Sequence, residues 1–203
     1  MYQAVGSPGS RLTRVTWMLE ELGQPYEIVK AKMHTDVVRR YNPTGKMPAL
    51  VDGDMVVTDS AAICAYLSEK HADKGMGPNP GLAGRAEMMS WMIYAQAEFE
   101  SPMWNKLKHR LLLPENLRAD VSNWIAHEFD AEARGLEAKL AGRPYALGDR
   151  FSAVDLILGH CGQWSRSGKF AAPSPVISDY FDRVLSRPAL ARAVAREKEA
   201  AAA

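Results

Sequence analysis

The stretch Asn42–His71, NPTGKMPALVDGDMVVTDSAAICAYLSEKH, decides the fold. Ala49–Val51 and Met55–Val57 are short apolar runs joined by Asp52-Gly53-Asp54, a strong hairpin signal. A helix is expected from Ser60 to about Ala72, with Ala61, Ile63, Cys64, Tyr66 and Leu67 available to cover a sheet. Pro48 opens the first strand of the hairpin, and Asp59-Ser60 opens the helix.

Toward the N-terminus, Tyr2–Val5 reads as a strand that runs into Ser7-Pro8-Gly9-Ser10, a turn sequence. Ser10 is placed to cap a helix with apolar positions Leu12, Val15, Leu19 and Leu22, and Gly23 is its stop signal. Tyr26–Val29 is a second strand, which implies a parallel pair linked by a crossover. A short helix is expected over Thr35–Tyr41. The order is βαβ followed by ββα, an α/β layer of residues 1–74.

Toward the C-terminus, KGMGPNPGLAG (Lys74–Gly84) is the one composition break, and 75–84 reads as a linker. Residues 85–203 have helical character throughout. Arg85–Phe99 is apolar and Met-rich, and Leu117–Leu140 repeats apolar residues at helical spacing. Ser152-x-x-Asp155 is a capping box, with Phe151 and Leu156 placed as a hydrophobic staple. Asp179–Leu185 and Pro188–Glu199 read as closing helices.

Bulk properties exclude more than they assign. A chain of 203 residues with 47% apolar content can bury a real core, and a net charge of +1 gives no argument for nucleic acid or anionic membranes. No apolar run approaches the ~18 residues of a membrane span. MYQAVGSPGSR lacks a basic segment followed by an apolar one, so no secretion signal is expected. Cys64 and Cys161 stand far apart, which disfavours a disulfide framework or zinc site and fits a reducing cytoplasm. The five histidines show no metal-ligand spacing, so no metal is expected.

Each candidate site residue has a plain structural reading beside a functional one. Proline at a strand's start marks an edge or a turn; a cis Met47–Pro48 bond would instead turn the Met47 N–H and C=O outward toward an extended peptide. Asp59 and Ser60 are ordinary helix caps. They also sit where free N–H groups and partial positive charge suit a ligand carboxylate, with Asp59 to pair a ligand ammonium. Ser7 is explained by turn chemistry, yet its hydroxyl lies near a helix N-terminus, where a bound thiolate is favoured.

Taken together, SPGSRLTRVTWMLEELGQPYEIV, the 42–71 stretch and GDRFSAVDLIL resemble a cytosolic glutathione transferase across both halves of the chain. The resemblance implies a thioredoxin-like domain (βαβαββα), an all-α domain and a homodimer. It implies a detoxifying transferase in which glutathione, a co-substrate, attacks a small hydrophobic electrophile. Met47 and Pro48 match the cis-proline site that pairs with the cysteinyl backbone, and Asp59 and Ser60 match the pair holding the γ-glutamyl end. Lys46 stands near the glycyl carboxylate. Ser7 matches the catalytic serine of serine-type members; Ser10 is its rival if the turn shifts by three residues, and Arg11 is an alternative source of positive field.

All ten methionines fall within the first 103 residues. Met92, Tyr94 and Met103 are the candidate lining of an apolar pocket between the domains; core packing is their plain reading. Two further functions stay open on the same scaffold. One is a glutathione-dependent isomerase or dehalogenase, the other a non-catalytic binding or interaction protein. A redox role would want a cysteine at the first turn, and none is there.

Overall fold

The computed structural model describes residues 1–171 and 174–202. The chain folds as two compact units, one formed by Met1–Pro78 with the segment from Ser186 onward, the other by Asn79–Leu185.

The first unit contains β1 (Tyr2–Gly6), α1 (Leu12–Leu22), β2 (Tyr26–Lys30), α2 (Asp36–Tyr41), β3 (Ala49–Asp52), β4 (Met55–Thr58) and α3 (Ser60–Lys70). These form one four-stranded sheet in the order β2-β1-β3-β4, with β1 and β2 parallel and the other pairs antiparallel. This is the thioredoxin-like βαβαββα layer. The hairpin turns at Gly53, whose φ of 61° lies in the left-handed region that glycine tolerates. β3 is an interior strand, so Pro48 precedes a central strand and does not mark an edge.

α1 is buried on nearly every side, from Leu12 through Leu19. α3 ends at Lys70, slightly short of expectation, and the Tyr2 hydroxyl lies 2.8 Å from Nε2 of the capping His71. Val5, Ala31, Val38 and Ala49 form a small core on one face of the sheet.

The last helix departs from the sequence expectation. α9 (Pro188–Ala202) was to close the helical domain of residues 85–203; it belongs to the first unit, packed on α1. Buried Ala189, Leu190 and Ala193 seat the helix there, and charged contacts add to the packing. Arg187 grips Glu21 through two nitrogens at 2.5 and 2.7 Å, Arg192 reaches Glu20 at 2.8 Å, and the Arg196 guanidinium lies 3.8 Å from the centre of the Tyr26 ring.

The second unit is all-helical: α4 (Gly81–Ile93), α5 (Ser101–Leu107), α6 (Ser122–Leu140), α7 (Ala153–Ser167) and α8 (Pro175–Leu185). α4 starts earlier than expected and widens over Tyr94–Phe99, where Glu100 N–H donates five residues back to Ala95 C=O at 3.0 Å. α7 is the core helix, buried without interruption from Ala153 to Gly162. The Ser152–Asp155 capping box forms as expected, and Tyr180 O–H and Ala146 N–H also donate to Asp155 Oδ1, at 2.8 and 2.7 Å.

Candidate active site

Sheet register brings the three sequence motifs to one end of the first unit. Val5 pairs with Ala49 and Ala49 with Thr58. The chain leaving β1 at Ser7, the chain entering β3 through Met47-Pro48 and the chain leaving β4 at Asp59 therefore meet at the same sheet end. The Met47–Pro48 peptide is cis. Among the described residues, neither the N–H nor the C=O of Met47 is hydrogen-bonded.

The loop before the cis proline is held from α2's side. His34 N–H donates to Gly45 C=O at 2.8 Å, Gly45 N–H donates to Asn42 C=O at 2.8 Å, and Asn42 Nδ2 donates to Lys46 C=O at 2.9 Å. Gly45 has φ 72°, and a Cβ there would lie 2.7 Å from His34 Nδ1. Glycine is required on both counts. The Lys46 side chain is exposed.

Asp59 caps α3, accepting Ala61 N–H at 3.0 Å, and does so with φ 72°, an uncommon conformation for a non-glycine residue. Ser60 is 1% exposed, and its Oγ accepts a hydrogen bond from Arg14 Nη1 at 3.2 Å. Arg14 is completely buried. Reading α1 by its apolar spacing missed this residue. The signal available was a lone charge in LTRVTWML, a run otherwise suited to a helix buried all round. Cys64, beside them, is pushed up to about 12 by burial, against the pull of the Arg14 charge, and is a packing residue.

The first turn separates the two serines. Ser10 N–H donates to Ser7 C=O at 3.2 Å, with Pro8 and Gly9 (φ 75°) between, the signature of a type II turn. Ser10 Oγ–H donates to the same Ser7 carbonyl at 2.6 Å and its oxygen accepts Leu12 N–H at 3.2 Å. Its single proton is therefore committed within the turn. Among the described residues the half-buried Ser7 hydroxyl has no hydrogen-bond partner. Arg11, half-buried, takes the N-cap position of α1, one residue later than expected.

The helical unit treats its candidates as interior residues. Met92 and Met103 are 3% and 4% exposed, and Tyr94 O–H donates to Glu132 C=O at 2.8 Å. None of the three lines a cavity of about 370 Å³ in this unit, which is walled by Ile125, Phe129 and Phe170 with Lys106 and His109. Among the described residues no group of three or more His, Cys, Asp or Glu side chains is arranged to hold a metal, and no helix is long and apolar enough to cross a membrane.

Residues 2–75 match the family described as glutathione S-transferase, N-terminal domain. Glutathione S-transferase 3 of Zea mays is 31% identical over 197 residues, covering 91% of this chain and 88% of that protein. The chain belongs to the glutathione S-transferase family. It is a transferase, like the relatives that carry the name. Among solved structures, a sphingomonad glutathione S-transferase complexed with glutathione is 25% identical with a TM-score of 0.81, covering 97% of this chain and 98% of that one. A glutathione S-transferase from Xylella fastidiosa is 21% identical with a TM-score of 0.85, covering 98% and 99%; that likeness is one of fold.

Proposed function

We propose that this transferase binds glutathione along β3 and activates its thiol with the Ser7 hydroxyl for attack on a hydrophobic electrophile. The observation that carries the reading is the convergence at one sheet end of a cis Met47–Pro48 peptide, the Asp59-Ser60 helix start and a Ser7 hydroxyl without an internal partner. Met47 offers its backbone to the cysteinyl residue. Ser60, whose oxygen accepts from Arg14, keeps its own proton to donate to the γ-glutamyl carboxylate. Asp59 pairs with the ammonium, and exposed Lys46 faces the glycyl carboxylate.

The chemistry requires a thiolate. A thiol of pKa 8.5 is only about 3% ionised at pH 7. A hydrogen bond to a charged group contributes about 1.5–3 kcal/mol, one to two pKa units. Ser7 can supply that bond, whereas the Ser10 proton is already donated to Ser7 C=O, so Ser10 acts as a support of the turn. The electrophile packs on apolar side chains of the helical unit; Met92 and Met103, being buried, support that surface from within, and half-buried Tyr94 is the one of the three with side-chain area to offer.

Thiolate absorbance of bound glutathione, titrated in wild type and Ser7→Ala, tests the assignment. The bound thiol's pKa should rise by about one unit or more in the variant; equal values would remove Ser7 and promote Ser10 or Arg11. A homodimer is proposed as well, supported by the exposed apolar stripe Leu82, Met89 and Ile93 along α4. Light scattering showing a monomer at micromolar concentration would overturn it.

A further inference from the structure

α9 reaches beyond its arginine contacts to the first turn. Glu197, 3% exposed, accepts Gly9 N–H at 2.7 Å and Thr13 Oγ1–H at 2.9 Å on Oε2, and Thr16 Oγ1–H at 2.7 Å on Oε1. All four residues belong to the thioredoxin-like unit. Packing does not call for a carboxylate here, because Ala189, Leu190 and Ala193 already bury the apolar face of α9. Burying a charged group is unfavourable unless hydrogen bonds offset the lost hydration, so the residue type points to what those bonds hold.

They hold one particular peptide. Gly9 N–H belongs to the central amide of the Ser7–Ser10 turn. Flipping that amide interconverts type I and type II turns while the turn's ends stay nearly fixed. Glycine tolerates either sign of φ, so Gly9 does not by itself choose. The bond to Glu197 chooses: it fixes the N–H on the α9 side and keeps φ at 75°. Thr13 and Thr16, in the first and second turns of α1, anchor the same carboxylate against the helix that follows the turn. The Ser7 carbonyl, already bound twice by Ser10, then has a single orientation, and with it the backbone from which the Ser7 side chain projects.

We propose that Glu197 is a positioning residue for thiol activation, through which the C-terminal helix sets the geometry of the Ser7 turn. This rests on the reading of Ser7 given above. Two effects oppose one another in any variant. Loss of the acceptor frees the turn and moves the Ser7 hydroxyl away from the sulfur; loss of negative charge near the α1 N-terminus would favour a thiolate. Positioning dominates, since a displacement of about 1 Å in a reacting group costs up to ~100-fold in rate.

The test compares the full-length wild type with Glu197→Ala and Glu197→Gln, each checked for folding by circular dichroism. Bound-glutathione thiolate absorbance and the kinetics with a chlorodinitrobenzene electrophile are then measured. Glu197→Ala is expected to raise the bound thiol's pKa by about one unit and lower kcat at least ~10-fold, with KM for glutathione changed less than ~3-fold because Met47, Asp59 and Ser60 are untouched. Glu197→Gln should recover most of the loss, since its amide oxygen still accepts Gly9 N–H. A thiol pKa and kcat equal to wild type in folded Glu197→Ala overturns the proposal. So does a lowered pKa in Glu197→Gln, which would make the residue's charge its main effect, and so does failure of both variants to fold. Ser7→Ala run alongside keeps the two readings apart. An unshifted pKa there with a shifted one in Glu197→Ala removes Ser7 as the donor and leaves the grip on the turn standing.

Discussion

Arg14 donates from Nη1 to Ser60 Oγ at 3.2 Å, joining the interior of α1 to the first residue of α3. The guanidinium has no acceptor capacity, so the bond can run only one way. Ser60 is therefore the acceptor in this contact, which leaves its own proton unused by Arg14 and, on the proposed reading, for the γ-glutamyl carboxylate. A plain helix-capping serine would use its oxygen on the backbone of its own helix; here that task falls to Asp59, which accepts Ala61 N–H.

Ser60→Ala should accordingly weaken glutathione binding without changing thiol chemistry. A hydrogen bond to a charged ligand group is worth about 1.5–3 kcal/mol, so Kd for glutathione rises roughly 10- to 100-fold. Calorimetry measures the loss directly, and kcat at saturating glutathione should stay within about threefold. A normal Kd in the folded variant would contradict the placement of the γ-glutamyl end.

The clamp between α1 and α9 carries a pH signature. Burial raises the Glu20 carboxyl, but hydrogen bonds from Arg192, Tyr26 and Arg196 outweigh it and hold the group below its ordinary 4.5. A depressed folded-state value means the contribution is present above the unfolded pKa and disappears as pH falls through the lower folded one. Arg192 is 55% exposed, so solvent screening limits the pair to about 1 kcal/mol or less. Urea unfolding of wild type and Glu20→Gln should differ by that amount at pH 7 and converge in acid below the folded-state value. A gap that persists there would assign the effect to packing.

Much of this site could be read in the sequence, for identifiable reasons. Asp52-Gly53-Asp54 fixed the hairpin register, and that register is what gathers Ser7, Pro48 and Asp59. The cis state of Met47–Pro48 stayed open because a proline before a strand is compatible with either isomer, and hydrophobic periodicity carries no signal for the choice. Arg14 and Glu197 were passed over for the same reason in two places. On an amphipathic helix a charge reads as the solvent face, and only tertiary packing reveals that α1 has no solvent face for most of its length. The placement of α9 joins its buried Ala189, Leu190 and Ala193 with Arg187, Arg192 and Arg196 meeting acidic partners on α1, a match between segments about 170 residues apart.

Cysteine chemistry should be silent. Cys64 and Cys161 are fully buried, and the Cys64 thiol is pushed up to about 12, so the thiolate fraction near pH 8 is negligible. Both thiols should resist an aromatic disulfide reagent in the native protein and react together once guanidinium unfolds it. Prompt reaction of one equivalent under native conditions would show an opening of the α3 or α7 core.

Gly162 sets the closeness of α7 and α8. A methyl group there would lie 2.5 Å from Phe181 Cδ1 and 2.6 Å from Cγ, inside any real carbon–carbon contact. Two effects compete in Gly162→Ala: alanine is favoured over glycine in a helix by about 1 kcal/mol, and overpacking a core costs about 1–3 kcal/mol. Phe181 is completely buried and packs on Phe99 and Tyr180, so its ring has no room to retreat. The steric cost should win, giving a net loss of up to about 2 kcal/mol in unfolding free energy. Chemical denaturation measures it, and Gly162→Ala combined with Phe181→Leu should recover part of the loss if the ring is the obstacle. Stabilisation by the single substitution would mean that the two helices can separate freely.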